Sequence, residues 1–384
     1  MWTLAGELII NKTDPYLGTD GLFKSGTVSA LLIKIASMLF GQFGFLFLLT
    51  SFLINILGVL ILMRTLGVNS VQDNFLLTGF IILCSPFREI FVNGQLTGVI
   101  YGGIGIIYLR LIRNSKMNTF ELFALATLIV FLVDLKPNLT FFPIAFIILF
   151  SKKYLVGTLS AILFAIYHLV INLYVGTFLE KSWVDTLLNL NSTDSNPNLF
   201  GSISIWQIIN LTSSGPVTKM TLDVAPTLVF IIINFLVLFF VRKWPAEFCI
   251  SLSFVSSFFL SYSHFYSYVP ILAICILFCI RGRWWVGLGF FASLFFVSFE
   301  PMNNIGLASL GVFVLIFALS NKSLSTGDIK LLIFGWIFSL ILRIVIIDSV
   351  NLELLAKSVL ASIPLVWLLI TYIIKRETFV ENRQ

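Results

Sequence analysis

The chain has 384 residues, of which 58% are hydrophobic and 11% charged, and its mean hydropathy is +1.02. A soluble domain carries about 25% charged residues, so this chain has too little polar surface to form a water-soluble body. The composition excludes a soluble enzyme, a nucleic-acid-binding protein and a disordered chain. It predicts an all-α polytopic transmembrane protein. The net charge of +6 then reflects membrane topology.

Apolar segments follow one another along nearly the whole chain, and we predict about 13 membrane spans. Their cores are residues 43–64, 74–87, 96–112, 119–135, 138–151, 154–176, 226–242, 247–262, 266–280, 284–299, 304–320, 329–348 and 356–374. Several are shorter than the roughly 20 residues of a full span, which is typical of tilted or broken helices. The amphipathic stretch 27–40, which contains Lys34, is predicted to lie at the membrane interface.

Two polar segments are predicted to form loops on the outer face of the membrane. Residues 1–26 form the first, and residues 177–225, rich in Asn, Ser, Thr and Gly, form the second and larger one. The connections on the other side are short, so residues 1–384 are interpreted as a single membrane domain. Because functional groups concentrate on elaborated loops, we expect the function to face outward.

The distribution of charge predicts the orientation of the chain. Of the 24 basic residues, 15 fall on one set of alternate connections, whereas 12 of the 18 acidic residues fall on the other side. The basic residues of the first set are Arg64, Arg110, Arg113, Lys116, Lys152, Lys153, Arg242, Lys243, Arg281, Arg283, Lys322, Lys330, Lys375, Arg376 and Arg383. By the positive-inside rule this side is cytoplasmic, so we expect a plasma-membrane protein with its N-terminal segment outside and its C-terminus inside.

The first outer segment contains two candidate general bases. Glu7 precedes a D-P-Y motif at residues 14–16, and Asp14 is the first residue of that motif. A carboxylate at the outer membrane surface is suited to deprotonate a hydroxyl group. The alternative is that this motif is only a turn before the next helix.

A second polar cluster lies between the spans 74–87 and 96–112. Asn93 and Gln95 in an N-G-Q motif are predicted to cap the following helix and to line a cavity, together with Arg88 and Glu89. The alternative is that Arg88 and Glu89 simply pair with each other or with water.

A third cluster joins the spans 119–135 and 138–151 with almost no loop. Pro137 is predicted to open the second of these helices at its first turn, where proline is tolerated. The positive end of that helix then adds to the charge of Lys136, which favours an anion site. Asp134 is predicted to line the same cavity and to orient Lys136. The alternative is an interfacial turn with a lysine that reaches to the membrane surface.

The histidines and a late arginine complete the set of candidates. His264 and Tyr268 lie in a polar and aromatic break between two apolar runs, and His264 is predicted to contact a phosphate or a leaving oxygen. Arg343 is a candidate second phosphate clamp. His168, inside the span 154–176, is predicted to be structural. With only two histidines and no paired cysteine motif, the sequence predicts no metal site.

In chain order, these motifs resemble those of glycosyltransferase family 87 of the GT-C superfamily. The motifs that carry the resemblance are Asp14-Pro15-Tyr16, Ser85-Pro86, Asn93-Gly94-Gln95, Leu135-Lys136-Pro137 and Ser263-His264 with Tyr266 and Tyr268. The resemblance implies a GT-C-like helical bundle that uses polyprenyl-phosphate sugars, typically of mannose or arabinofuranose. It also implies that Lys136 and His264 lie near the donor phosphate and that an acidic residue of the first outer loop is the base.

The chain departs from the family at its N-terminus. Family members have a span before the first outer loop, and their acidic residue lies well upstream of the D-P-Y element. The resemblance therefore implies that such a span is missing from this sequence, or that Glu7 or Asp14 replaces the family's acid.

We accordingly expect a glycosyltransferase that moves a sugar from a polyprenyl-phosphate carrier to a glycan or glycolipid acceptor on the outer face. The lipid bilayer and these two substrates are its expected partners, and nucleic acid is not. No organic cofactor is expected, and a need for a divalent cation is left open. The alternatives are a transporter or flippase for a lipid-linked glycan and a non-catalytic membrane subunit.

Overall fold

The computed structural model describes residues 2–18, 26–40, 44–65, 96–113, 117–182 and 225–240, together with Val71, Thr78, Ser253 and Ser256. Within these residues the regular structure is entirely α-helical. The helices are α1 (Trp2–Ile10), α2 (Thr27–Phe40), α3 (Gly44–Thr65), α4 (Thr97–Arg113), α5 (Thr119–Leu135), α6 (Pro137–Ser151), α7 (Tyr154–Val175) and α8 (Ala225–Phe240). The predicted all-α class is therefore confirmed for the described part of the chain.

Six predicted span cores coincide with helices α3 to α8 to within two residues at either end. These six segments form helices because each is a long apolar run whose ends carry polar residues or proline. The other seven predicted cores lie outside the described residues, apart from the single residues Thr78, Ser253 and Ser256.

The predicted loop over residues 1–26 is wrong for residues 2–10, which form α1. Ala5 and Ile9 lie one turn apart on this helix and are buried in a cluster with residues of α2 and α7. Gly6 allows the close packing, because a methyl group at this position would collide with Ala30 and Lys34 of α2. The helix is thus stabilised by tertiary contacts that a local reading of a short segment does not reveal.

The chain divides into two compact units, and helices α1, α2 and α4 to α7 belong almost entirely to the first, which comprises Met1–Gly58 and Gly98–Asn198. In this unit α5 contacts α2, α6 and α7, and α2 in turn packs against α1 and α7. Ala126 and Val130 of α5 and Leu163 of α7 form a buried cluster between their helices. The packing brings the C-terminal end of α5 next to the start of α2.

Helices α3 and α4 approach closely within the first unit. The backbone N–H of Gly98 donates a hydrogen bond of 2.6 Å to Oδ1 of Asn55. A Cβ atom at Gly58 or Gly98 would collide with the facing backbone. Small residues that let helix backbones meet, with a polar side chain bonded across the contact, are typical of helix pairs in membranes.

The described part of the second unit, Val59–Thr97 with Leu199–Gln384, contains α8. Asn234 of this helix is fully buried, and its Nδ2 donates to the carbonyl of Phe230 at 2.8 Å and to Oγ of Ser256 at 2.7 Å. Oγ of Ser256 donates in turn to the carbonyl of Ser253 at 2.7 Å. These bonds satisfy Nδ2 of Asn234 and the hydroxyl group of Ser256.

Candidate functional site

The connection between α5 and α6 is a single residue, Lys136. It follows the last residue of α5 and precedes Pro137, the first residue of α6, so the prediction that Pro137 opens this helix is confirmed. The carbonyl of Lys136 accepts hydrogen bonds from the N–H of Leu139 at 3.1 Å and from Oγ1 of Thr140 at 2.8 Å. This tight junction fixes the position of Asp134, two residues earlier.

Asp134 joins the end of α5 to the start of α2. The residue is 4% exposed. Oδ2 of its side chain accepts a hydrogen bond of 2.5 Å from the N–H of Ser29, in the first turn of α2, and its carbonyl accepts one of 2.8 Å from the N–H of Gly26. A carboxylate at the positive end of a helix is stabilised by the unpaired N–H groups there. The described partners of this carboxylate are thus in α2 and α7, rather than Lys136, which it was predicted to orient.

Gly26 is required by the closeness of this contact. A Cβ atom at position 26 would overlap the carboxylate of Asp134. Any other residue here would force the start of α2 away from the end of α5, so the glycine makes the approach possible.

His168 of α7 lies between two carboxylates. Its Nδ1 is 2.9 Å from Oε1 of Glu180, and its Nε2 is 2.9 Å from Oδ1 of Asp134. Because an ionised carboxylate can only accept, Nδ1 carries a proton that it donates to Glu180. On the other side of the ring, Nε2 and Oδ1 of Asp134 lie at ion-pair distance, so His168 bridges the two carboxylates. The ring of Phe164 packs on the imidazole with centroids 4.2 Å apart.

Glu180 is held by the segment that follows α7. The helix ends at Gly176, which has a φ of 82° and donates its N–H to the carbonyl of Asn172 at 2.8 Å. The side chain of Asn172 then accepts from the N–H of Leu179 at 3.2 Å and donates from Nδ2 to Oε2 of Glu180 at 2.5 Å. Both oxygens of Glu180 are therefore bonded, and the carboxylate has a fixed orientation towards His168.

These side chains border a cavity of about 190 Å³. It is lined by Tyr16, Gly26, Thr27, Val133, Asp134, Pro137, Phe164, His168, Leu179 and Glu180. Among the buried polar atoms of the lining residues, Oγ1 of Thr27 has no hydrogen-bond partner, whereas Oδ1 of Asp134 and Nε2 of His168 contact each other. A cavity with apolar walls and a few convergent polar groups is typical of a small-molecule site.

Asp14 and Tyr16 connect the first outer segment to this cavity. Oδ1 of Asp14 accepts from the N–H groups of Tyr16 at 2.8 Å and Leu17 at 3.3 Å, so the carboxylate closes a local turn. Tyr16 is 3% exposed. Burial, and then the negative charges of Asp134, Glu180 and Asp14, raise the pKa of the Tyr16 hydroxyl above its ordinary value. The phenol is therefore neutral and cannot act as a base near pH 7.

Glu7 has a different environment. It lies on α1 and pairs with Lys34 of α2, with 3.1 Å between Oε2 and Nζ, and its side chain is 54% exposed. Lys34, predicted on the amphipathic stretch 27–40, thus serves the contact between α1 and α2. Glu7 is not among the residues that line the cavity.

Lys136 lies in the chain between two lining residues, Asp134 and Pro137, although its own side chain does not line the cavity. The residue is half-buried, and it belongs to the junction between the two predicted spans rather than to either span. Burial lowers the pKa of its ammonium group to about 7. Its charge therefore depends on the pH near neutrality and on whether an anion is bound.

The remaining predicted site residues lie outside the described residues. They are Arg88, Glu89, Asn93, Gln95, His264, Tyr268 and Arg343. The structure thus brings together the first outer segment and the junction at Lys136, while the predicted contribution of these seven residues stays a prediction.

Of the residues that line the cavity, only Asp134 was predicted as a site residue, and those missed include Thr27, Glu180 and His168. Thr27 opens an amphipathic helix, Glu180 begins a polar segment, and His168 was interpreted as structural. An available signal was the position of His168 inside an apolar run, since an ionisable residue at membrane depth is a functional candidate. The pairing with Glu180 across 12 residues depends on the left-handed turn at Gly176.

No group of three His, Cys, Asp or Glu residues in the described part of the chain is arranged to hold a metal ion. The side chains of Asp134, His168 and Glu180 at the cavity instead contact one another in a row.

In comparisons with known proteins, no family model, no curated protein and no solved structure matches this chain.

Proposed function

We propose that this chain is an integral membrane glycosyltransferase of the GT-C type. It transfers a sugar, mannose or arabinofuranose, from a polyprenyl-phosphate carrier to a glycan or glycolipid acceptor on the outer face of the plasma membrane. The observation that carries the proposal is the shared cavity. Two segments more than a hundred residues apart in the chain, one around Gly26 and one around Asp134, meet there with a buried carboxylate and an imidazole.

The exposed surface of α7 supports a membrane location. Among the described helices, Tyr154–Val175 is the one that is long and apolar enough to cross a membrane, and only 22% of its apolar stretch is buried inside the molecule. The large apolar side chains left exposed on this helix are Leu155, Ile162, Ile166, Leu169, Val170 and Leu173. An apolar surface of this kind is stable only against another apolar medium, and lipid is the medium that the composition of the chain favours.

The chemistry of the site suits transfer from a lipid phosphate. The polyprenyl tail stays in the bilayer while the sugar and its phosphate reach the surface. Lys136 and the positive end of α6 neutralise the phosphate as it leaves. A carboxylate removes the proton of the attacking hydroxyl group. Because prenyl phosphate is a good leaving group, positioning and charge neutralisation supply most of the catalysis.

The test is transfer from defined donors. Membranes that contain the full chain are incubated with radiolabelled decaprenyl-phosphate mannose and, separately, decaprenyl-phosphate arabinofuranose, with octyl mannoside as acceptor. We expect a labelled octyl glycoside and free decaprenyl phosphate with one of the two donors. Transfer no greater than in membranes that lack the chain, with both donors, contradicts the proposal.

The orientation is tested by labelling a single cysteine. Ser195 lies in the predicted outer segment 177–225, so Ser195→Cys in a background without the four native cysteines should react with an impermeant maleimide in intact cells. Reaction only after the membrane is opened would place this segment in the cytoplasm and contradict the predicted orientation.

A further inference from the structure

We propose that the cavity beside α5 receives a hydroxyl group of the glycan acceptor and that Asp134 is the residue that takes its proton. This inference rests on the proposed function and sharpens it, because the sequence predicted Glu7 or Asp14 as the base. It places the acceptor on the α2 side of the junction between α5 and α6, whereas the proposed function places the donor phosphate at Lys136 of that junction.

The buried polar atoms that line the cavity indicate what it binds. Oγ1 of Thr27 is buried and makes no hydrogen bond, and Oδ1 of Asp134 and Nε2 of His168 lie 2.9 Å apart at the same cavity. A buried polar group without a partner destabilises the folded chain, so the threonine hydroxyl points to a ligand that supplies the missing bond. Asp134 is the more buried of the two carboxylates at the cavity, since its side chain is 1% exposed and that of Glu180 is 44% exposed.

The charges around the cavity select the class of ligand. The carboxylates of Asp134 and Glu180 disfavour an anion, so the donor phosphate belongs elsewhere. An apolar ligand would leave the threonine hydroxyl without a partner. A neutral polyol can bond to all three polar side chains, because a hydroxyl group donates to a carboxylate and also accepts from a threonine hydroxyl or a ring N–H. The apolar walls formed by Val133, Phe164 and Leu179 can pack against the carbon face of a sugar.

The reaction at this site balances as a single displacement. The oxygen of the acceptor hydroxyl forms a bond to the anomeric carbon of the donor sugar. The bond between that carbon and the phosphate oxygen breaks, and its electron pair leaves with the polyprenyl phosphate. The hydroxyl proton moves to Oδ1 of Asp134 and returns to water when the product departs.

His168 and Glu180 act as positioning residues in this scheme. Glu180 accepts the Nδ1 proton and so fixes the ring, whose Nε2 then lies 2.9 Å from Oδ1 of Asp134. Lone pairs on both Nε2 and Oδ1 would repel each other at that distance, so the imidazole of His168 and the carboxylate of Asp134 share a proton in the unliganded chain. An entering hydroxyl group can replace this contact with one hydrogen bond to each atom.

The two acidic residues predicted from the sequence are less suited to this role. Oδ1 of Asp14 is occupied by two backbone N–H groups of its own turn. Glu7 pairs with Lys34 on the exposed side of α1. Neither carboxylate lines the cavity, whereas Asp134 does, with its Oδ1 next to Nε2 of His168.

The experiment compares two acid-to-amide variants of one helix. Asp134→Asn changes the proposed base at the end of α5, and Glu121→Gln changes a carboxylate at its start, where glutamine can keep the capping contact. Both full-length variants are measured in lipid nanodiscs with the decaprenyl-phosphate donor that the wild type uses and octyl mannoside as acceptor. We expect Asp134→Asn to lower kcat by roughly 10²–10⁴ and to leave the KM for the donor within about threefold. Glu121→Gln should transfer at the wild-type rate.

His168→Gln tests the positioning role. It should lower kcat and raise the KM for octyl mannoside while the KM for the donor is unchanged, whereas a loss of folding alone would lower the amount of active protein with both KM values unchanged. Transfer by Asp134→Asn within about threefold of the wild-type rate would overturn the inference, because a lost general base costs far more. An increase in donor KM that matches the loss in kcat would also overturn it, since Asp134 would then act on the donor.

A binding measurement separates this inference from the proposed function. If the wild type transfers neither sugar, the proposed function fails, and the affinity for octyl mannoside is then decisive for the cavity. Thr27→Val removes one hydroxyl and preserves the shape of the side chain. We expect it to weaken octyl mannoside binding roughly three- to tenfold, the value of one hydrogen bond. Equal affinity in the two proteins, or no binding to the wild type, would overturn the assignment of the cavity.

Discussion

The two ends of α5 carry similar polar residues, but the contacts that these residues make are different. At the start, Oδ1 of Asn118 accepts from the N–H of Glu121 at 2.8 Å, and the side chain of Glu121 accepts from the N–H of Asn118 at 3.2 Å and pairs with Arg110. At the other end, Asp134 uses one oxygen for Ser29 and places the second 2.9 Å from Nε2 of His168, next to a cavity.

This difference separates a structural polar cluster from one arranged for binding. A cluster that only stabilises the fold closes on itself, as the capping contacts at Asn118 do. The end of α5 instead borders a cavity with the ion pair of Asp134 and His168 and with the unpartnered hydroxyl of Thr27, which costs about 1–3 kcal/mol. We therefore expect its residues to affect transfer and those at the start to affect stability.

After Asp134, the largest effect is expected at Lys136, just beyond the C-terminal end of α5. Lys136→Ala should lower the transfer rate roughly 10²–10³-fold, because charge-assisted contacts to the leaving phosphate are each worth a few kcal/mol. Lys136→Arg should recover part of the rate, since the charge remains but its geometry changes. Rates are divided by the amount of chain in the membrane. A rate loss that only follows a loss of protein would instead identify Lys136 as a residue that anchors the helix.

The pH dependence of donor binding tests the same lysine. With its pKa lowered to about 7, Lys136 is charged below neutrality and loses its proton as the pH rises. Donor affinity should therefore be highest below about pH 7 and fall by up to tenfold per unit above it. Lys136→Arg, which stays charged, should remove this dependence. The unliganded chain should behave in the opposite sense, gaining stability from pH 7 upward, because the unfolded state keeps the proton up to a pKa of about 10.4.

A smaller effect is expected where the start of α2 meets the C-terminal end of α5. Gly26→Ala places a methyl group against the carboxylate of Asp134 and should destabilise the chain by about 1–3 kcal/mol through overpacking. Because the same change displaces Asp134, transfer should fall more than the folded fraction does. Thermal unfolding in nanodiscs gives the folded fraction. Equal losses in the two measurements would mean that the contact serves only the fold.

The smallest effect on transfer is expected at the N-terminal end of α5. Asn118→Ala removes the cap of α5 and should lower stability by about 0.5–2 kcal/mol, with transfer per folded molecule unchanged. A specific loss of transfer in Asn118→Ala would break the distinction between the two ends. Glu121→Gln provides the matched control, because it keeps the capping geometry and loses only the pair with Arg110.

The helices were predictable from the sequence because their signals are local. Apolar runs gave α3 to α8 to within two residues, and Pro137 marked the start of α6. Helix α1 was not predicted, since its stability depends on contacts of Ala5 and Ile9 with α2 and α7. The site was half predictable: the junction at Lys136 stood out as a charge between two spans. The row of Asp134, His168 and Glu180 did not, because it requires the packing of α5 against α7.

The most direct test of the account is an experimental structure of the full chain in lipid nanodiscs. The sample would contain octyl mannoside and a non-transferable phosphonate analogue of the decaprenyl-phosphate donor. The account predicts a sugar hydroxyl of octyl mannoside within hydrogen-bond distance of Oδ1 of Asp134, and the phosphonate next to Lys136. Octyl mannoside bound elsewhere, with the cavity beside α5 empty or filled by lipid, would contradict the assignment of Asp134 as the base.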